Sequence, residues 1–309
     1  MKIFLLRVLL FLILLAGTSE LIIRYYKLTS DLPERTIDDK GIQKYKLNQS
    51  GYYKKAEKKW QVNKFGWIGT SDLSKDTIIT IIGDSFIENI MNPIECNQGS
   101  ILKSELPNKS FFEAGRSGVT FIESMEISKG LNIDFNPTYQ LLYLNPTDIP
   151  ESIEEIEKYA DRMQFSIESK KLTSPKIKSP ILKKILYNIK FVYYLYLRYP
   201  VLIDKQNLGE IDNISLSDKD SLNLLYDKLL MYCLNNYRTD NLILILHPDI
   251  DSQILSIFEK YNFKYLKLNS KEDENWEIGN GDSHWSCYGH KQVSKQVLKF
   301  LKDFKKKVF

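Results

Sequence analysis

Histidine and cysteine are scarce in this chain: its 309 residues contain only three of each. The cysteines, Cys96, Cys233 and Cys287, are odd in number and far apart, which excludes a disulfide framework; at most one bridge can form and none is required. A strong charge of one sign is lacking too. The 43 Lys and Arg residues stand against 39 Asp and Glu, a net charge of +4, and the basic residues are spread along the chain. With no basic arm, nucleic acid is not expected as a partner. No internal repeat or low-complexity tract is evident. What remains is ordinary globular composition, 43% hydrophobic and 27% charged, in a length that supports one large α/β domain or two small ones.

Long hydrophobic runs are missing everywhere except at the amino terminus. There "IFLLRVLLFLILLAGTSELIIRYY" is apolar apart from Arg7, Glu20 and a Gly17-Thr18-Ser19 step. As a helix, Ile3 to Ile23 would reach roughly 30 Å, enough to span a bilayer, with Arg7 and Glu20 near its ends. A cleaved signal peptide is the other reading, with Val8 to Ala16 as its core. The return of apolar residues at Leu21-Ile22-Ile23 favours an uncleaved anchor. Positive charge on both sides makes orientation weakly coded, and the short end is taken as cytoplasmic because no domain precedes the span. Either reading places the remainder outside the cytoplasm, on the periplasmic or extracellular face.

Residues 25–76 are polar, rich in Lys and Tyr, without a sustained period, and read as a juxtamembrane linker and lead-in. From residue 77 short apolar runs alternate with helical patterns: "TIITIIG" (77–83) before a helical segment from Phe86, "SFFEAG" (110–115) before "VTFIESMEISKGL", "YQLLYLN" (139–145) before "IPESIEEIEKYADRM", "LILILH" (242–247) before "SQILSIFEKY", and "FKYLKL" (263–268) before the last helix. Five strand-then-helix units predict a three-layer α/β/α domain over 77–309, built on a doubly wound parallel sheet. The near-continuous runs suit strands buried on both faces. An insert at about 160–215 lengthens the third connection. It carries a basic, Pro-punctuated stretch and then "ILYNIKFVYYLYLRYP", which reads as a helix packing its tyrosines on the domain, with a sugar platform or membrane-surface contact as alternatives. A further helix is expected from about Ser217 to Tyr237.

In open α/β sheets the functional crevice lies beyond the carboxyl ends of the strands. Gly83-Asp84-Ser85 ends the first strand, "EAGRSG" the second and "LNPTD" the third, while "GNGDSHWSCYGH" (279–290) precedes the last helix and holds two of the three histidines. The sheet would gather all four. Gly-Asp-Ser is by itself good turn and cap chemistry; with these partners Ser85 becomes a candidate nucleophile.

These blocks resemble the SGNH (GDSL-type) hydrolase superfamily, especially membrane-anchored, envelope-facing members acting on acyl groups of polysaccharides. "GDSF" (83–86) is similar to the first block, "VNKFGWIG" (62–69) to the lead-in of anchored members, "EAGRSG" to the second block, and "DSHW" (282–285) to the last block in its Asp-x-His-Trp form. The resemblance covers roughly residues 60–306 and implies a flavodoxin-like fold. It implies Ser85 as nucleophile, His284 as general base and acid, and Asp282 as the residue that orients His284. It also implies an oxyanion hole made by the N–H groups of Ser85 and Gly115 and a third donor. The third block departs from the family: its Asn-Asp ending is replaced by Asn145-Pro146-Thr147-Asp148, so the third donor is either Thr147 or Asn145.

The implied function is a serine-dependent hydrolase or acyltransferase acting on O-acyl, mainly O-acetyl, groups of an envelope polysaccharide, with no cofactor. Its partners would be the acylated glycan, the membrane through the amino-terminal helix and, for transfer, an acyl-donor membrane protein. The alternative is a catalytically weak glycan-binding or scaffold subunit of a polysaccharide biosynthesis complex, suggested by Thr147 and the single span. A metal site from Asp282, His284, Cys287 and His290 is disfavoured, because Gly289 interrupts the helix needed to gather them and no second cluster completes a shell. His290 is expected to cap or open the last helix, and Trp285 fits either the core or a sugar platform.

Overall fold

A computed structural model of the chain describes residues 1–199, 219–270, 273–279 and 281–308. The chain opens with the long helix α1 (Lys2–Tyr25), whose apolar side chains are almost all exposed. Two antiparallel hairpins follow, β1 (Arg35–Ile37) with β2 (Gln43–Tyr45), then β3 (Ser50–Tyr53) with β4 (Lys58–Gln61). The segment expected as a linker is therefore folded. Ile42, Tyr45, Trp60, Val62, Trp67 and Ile68 are buried. Backbone contacts fix the first hairpin to the domain: Arg116 Nε donates to Gln43 O at 3.0 Å, and the Gln43 N–H points to Glu123 Oε1 at 3.4 Å. Arg116 and Glu123 form a fully buried ion pair at 2.6 Å.

The domain continues with β5 (Ile78–Gly83), α2 (Ser85–Glu88), α3 (Gln98–Glu105), β6 (Ser110–Gly115), α4 (Phe121–Phe135) and β7 (Tyr139–Leu144). A small hairpin of β8 (Gln164–Ser166) and β9 (Lys171–Thr173) leads to α5 (Pro180–Asn188) and α6 (Lys190–Arg198). Then come α7 (Lys219–Asn236), β10 (Leu242–Leu246), α8 (Ser252–Lys260), β11 (Tyr265–Lys267), the hairpin β12 (Glu277–Gly279) and β13 (Asp282–Trp285), and α9 (Cys287–Val308). Part of the expected insert, 200–215, and the start of the helix expected from Ser217 lie outside the described residues.

The central sheet has the order β6-β5-β7-β10-β11, every pair parallel. Counting only these strands in chain order, this is 2-1-3-4-5, the flavodoxin-like doubly wound arrangement. Alternation along each strand divides the core between two faces. Ile82, Phe112, Leu142 and Leu244 pack against α4, α7 and α8, while Ile81, Phe111, Leu141 and Ile245 pack against α3 and α9.

Two expected helices differ. The one after the first strand is a single turn, because Asn89 adopts a left-handed φ of 46° and Asn92-Pro93 follows. The pattern "IPESIEEIEKYADRM" forms only a short 3₁₀ turn (Pro150–Ser152). Ile153 is extended and bridges Phe165, so its apolar residues enter the core through turns, and α7 covers the sheet there instead.

Candidate active site

The nucleophile candidate is placed by two glycines. Gly83 and Gly115 face one another across β5 and β6. A Cβ on Gly83 would lie 2.6 Å from Ile87 Cγ1, and one on Gly115 would lie 2.4 Å from the Glu88 nitrogen. Only glycine lets α2 sit down on the strand ends. Asp84 caps that turn, its Oδ1 accepting from Phe86 N–H at 3.0 Å. Ser85 thus begins the helix with its own N–H without a partner among the described residues.

Asp282 and His284 stand two apart on β13, so their side chains share one face. His284 Nε2 lies 2.8 Å from Ser85 Oγ, and His284 Nδ1 lies 2.6 Å from Asp282 Oδ1. The Asp282 Oδ1 also accepts the His284 N–H at 3.3 Å, and Lys55 from the β3–β4 turn sits 3.5 Å from Oδ2. Burial works against its charge, but the His284 hydrogen bonds and Lys55 hold the Asp282 carboxyl below its ordinary value. Asp282 therefore stays ionised and fixes the proton of the imidazole on Nδ1, leaving Nε2 to accept from Ser85.

Trp285, on the opposite face of β13, is buried among Phe86, Tyr143 and His247, a core residue. Its carbonyl accepts from Asn92 Nδ2 at 2.9 Å, and two residues on Cys287 is disulfide-bonded to Cys96. Both links tie the histidine strand to the segment that follows Ser85.

Three points of the expected oxyanion hole change or are decided. Along β6 the N–H groups alternate: Glu113 donates outward to Thr70 O, and Arg116 donates inward to Gly83 O. Gly115 shares the parity of Glu113 and bridges Ile68, so its N–H points away from Ser85. Gly115 serves close packing, and it is not the second donor. Three residues later Gly118 has φ 76° and an N–H without a partner among the described residues, directly after the cleft-lining Ser117. It is the donor candidate that reading the first glycine of "EAGRSG" missed; the second glycine of that block was the signal. Asn145, not Thr147, reaches the nucleophile turn: its Nδ2 donates to Asp84 Oδ2 at 2.6 Å, while Thr147 is exposed. One amide hydrogen of Asn145 remains for a substrate oxygen. Burial pushes Asp84 up to about 6, and buried Asp148, whose Oδ2 accepts the Asn145 N–H at 2.8 Å, is raised as well. Asn145→Ala is expected to lower turnover of an acetyl ester by about a hundredfold or more, the value of one oxyanion donor. Thr147→Val should leave it nearly unchanged. Steady-state kinetics on both variants check the ranking, and the reverse order would return the role to Thr147.

The residues weighed as metal ligands do not converge. Cys287 is bonded to Cys96, and His290, in the first turn of α9, is buried with Nδ1 3.0 Å from Gln98 Nε2. Burial lowers His290 to about 3, so it is neutral. Among the described residues no cluster of three or more His, Cys, Asp or Glu is placed to hold an ion.

Ser85 and His284 open into a cleft of about 510 Å³, bounded by the amino-terminal hairpins on one side and by α5 on the other. Arg35, Lys183 and Lys184 bring basic charge to its walls, where Lys46 pairs with Glu34 and Lys178 with Asp161, and Tyr45, Tyr53 and Tyr187 add aromatic surface. At its floor the buried Glu88 accepts from Tyr45 OH and from Ser117 N–H and Oγ–H.

No family model and no curated protein matches the chain. Solved structures similar to it include a psychrotrophic esterase from Pseudoalteromonas sp., at 11% identity, TM-score 0.40, covering 74% of this chain and 99% of that one. A family 3 carbohydrate esterase from Clostridium thermocellum is similar at 14% identity and TM-score 0.40, covering 75% of this chain and 98% of that one. A catalytic mutant of an acetylxylan esterase from Geobacillus stearothermophilus is similar at 11% identity and TM-score 0.37, covering 74% and 95%.

Proposed function

We propose that this chain is an SGNH-type serine hydrolase that cleaves acyl esters through an acyl-Ser85 intermediate. The observation that carries this reading is the unbroken hydrogen-bonded line Ser85 Oγ–His284–Asp282 at the carboxyl edge of the sheet. His284 Nε2 takes the Ser85 proton as Oγ attacks the ester carbonyl. The carbonyl oxygen becomes an oxyanion that Ser85 N–H, Gly118 N–H and Asn145 Nδ2 would receive. As the carbonyl re-forms, the C–O bond to the alcohol breaks and His284 protonates the leaving oxygen. A second nucleophile, deprotonated by His284, then releases the acyl group. Water gives hydrolysis; a sugar hydroxyl gives transfer, with an acyl-donor membrane protein as the source of acyl groups.

The substrate class is an O-acylated, chiefly O-acetylated, envelope polysaccharide. The motif order supports it, and the tyrosine-bearing cleft offers faces on which sugar rings can stack. In this reading the domain lies outside the cytoplasm. The 24-residue apolar helix α1, an anchor or a signal sequence, supports this, as does the Cys96–Cys287 bridge, which persists in oxidising compartments. A phosphonate serine probe should add its mass to the peptide containing Ser85, and acetylated oligosaccharide should release acetate. A folded protein that does neither would be the scaffold or glycan-binding subunit instead.

A further inference from the structure

Helix α5 has two faces with opposite demands. Pro180, Lys183, Lys184 and Tyr187 line the cleft that holds Ser85 and His284. Ile181, Leu182 and Ile185 are 76%, 60% and 48% exposed, and Ile189 just past the end of the helix is 43% exposed. At about 100° per residue the cleft-lining set and Ile181, Leu182 and Ile185 fall on opposite sides of the helix, so the wall of the catalytic cleft turns an apolar back outward. The following helix adds exposed Val192 and Leu197. Elsewhere among the described residues, α1 excepted, large exposed apolar side chains are scattered singly.

This hairpin is fastened to α1. Arg24 Nη2 donates to Asn188 O at 2.5 Å, at the end of α5. Glu20 accepts the N–H groups of Lys190 and Phe191 at 3.1 and 2.6 Å, at the start of α6. The covered positions of α1 are Ala16, Ser19, Glu20 and Ile23, which face α6, whereas its residues 3–15 are exposed along their whole length. The one acid in the apolar helix is thus satisfied by the hairpin, as a charge at membrane depth must be.

We propose that the α5–α6 hairpin is a membrane-interface element. Its Ile181, Leu182 and Ile185 face lies in the headgroup–acyl boundary of the bilayer that α1 spans, so the wall of the Ser85 cleft rests on the membrane with the cleft itself one helix thickness above it. The inference rests on α1 being an uncleaved anchor. The bilayer is chosen over a second copy of the chain because the apolar face is continuous with the last turns of α1 through the Glu20 and Arg24 contacts. Tyr25 and Tyr26 at the end of α1 and Tyr196 and Tyr199 on the hairpin supply the amphipathic rings favoured at that depth. The consequence for substrate is that the acyl ester is carried by a molecule held at the membrane, with its ester within reach of a basic cleft wall.

The test uses the full chain in nanodiscs, with the environment-sensitive NBD fluorophore on a single introduced cysteine. The native cysteines do not interfere, since two are bridged and Cys233 is buried. Ile185→Cys and, independently, Leu182→Cys report the hairpin, Leu10→Cys reports α1, and Ile133→Cys on α4 is the exposed control. With brominated-acyl phosphatidylcholine, the labels at 185 and 182 should lose most of their fluorescence, as the label at 10 does, and the label at 133 should not. Quenching at 10 but not at 185 and 182 would overturn the proposal and leave the anchor intact. No quenching at 10 either would overturn both. Labels at 185 and 182 shielded from lipid in a particle that holds two chains would assign the face to a second copy.

Discussion

Ser85→Ala is expected to remove ester hydrolysis almost completely, by about four to six orders of magnitude in kcat, because the members of a nucleophile–base–acid unit act together. The change takes away Oγ and nothing else of consequence. The residue's N–H survives in the first turn of α2, Asp84 still caps Phe86, and Gly83 and Gly115 still admit the turn. Folding should therefore be unaffected, and equal thermal midpoints for both proteins check that. His284→Ala should cost a similar factor, and the double variant should be no worse than either single one. That non-additivity separates a catalytic unit from residues that merely shape the cleft. Should the wild type turn over acetyl esters no faster than Ser85→Ala, the hydrolase reading is lost, and the cleft would be a binding site for glycan.

Much of this arrangement is legible in the sequence. The runs 77–83, 110–115, 139–145 and 242–247 are short apolar or aromatic runs bounded by turn-forming residues, so their strands fall within a residue of their observed limits. Once five parallel strands are accepted, their carboxyl ends, and with them Ser85 and Asn145, share one edge of the sheet, the edge at which ligands bind in open α/β sheets. The failures have a common cause: pairing between residues distant in sequence. The strands of residues 35–61 are three or four residues long, too short to show a period among their lysines and tyrosines. They are held by Arg116, Glu123 and a few buried rings that local pattern does not connect. The pattern at 150–163 has helical spacing, yet Ile153 is drawn into a bridge with Phe165. Gly115 ends β6 with its N–H turned to the Ile68 side, whereas Gly118 lies beyond the strand in a left-handed turn, a difference of backbone placement that composition does not record.

Removing the Cys96–Cys287 bridge, by reduction or by the paired change to serine, is expected to lower the thermal midpoint by on the order of 10 °C or more. The bridge joins residues 191 apart in sequence. In the chain-entropy account, a closure of that length restrains the unfolded state by about 5 kcal/mol, with engineered and native cases scattering below that value. For a domain of this size each kcal/mol shifts the midpoint by roughly 2–4 °C. Position gives the bridge a second effect. Cys96 lies in the segment that follows the Ser85 turn, and Cys287 opens α9 three residues after His284. Without the bond, the Asn92–Trp285 hydrogen bond, the packing of Trp285 and, through α9, the Gln98–His290 hydrogen bonds remain, but the covalent tie between the histidine strand and that segment is lost. Reduced protein should thus lose activity at temperatures below its unfolding transition, since proton transfer between Ser85 and His284 tolerates little displacement. Scanning calorimetry with and without reductant measures the first effect, and activity against temperature the second. An unchanged midpoint under full reduction, verified by counting free thiols, would reduce Cys96 and Cys287 to neighbours that contribute packing alone.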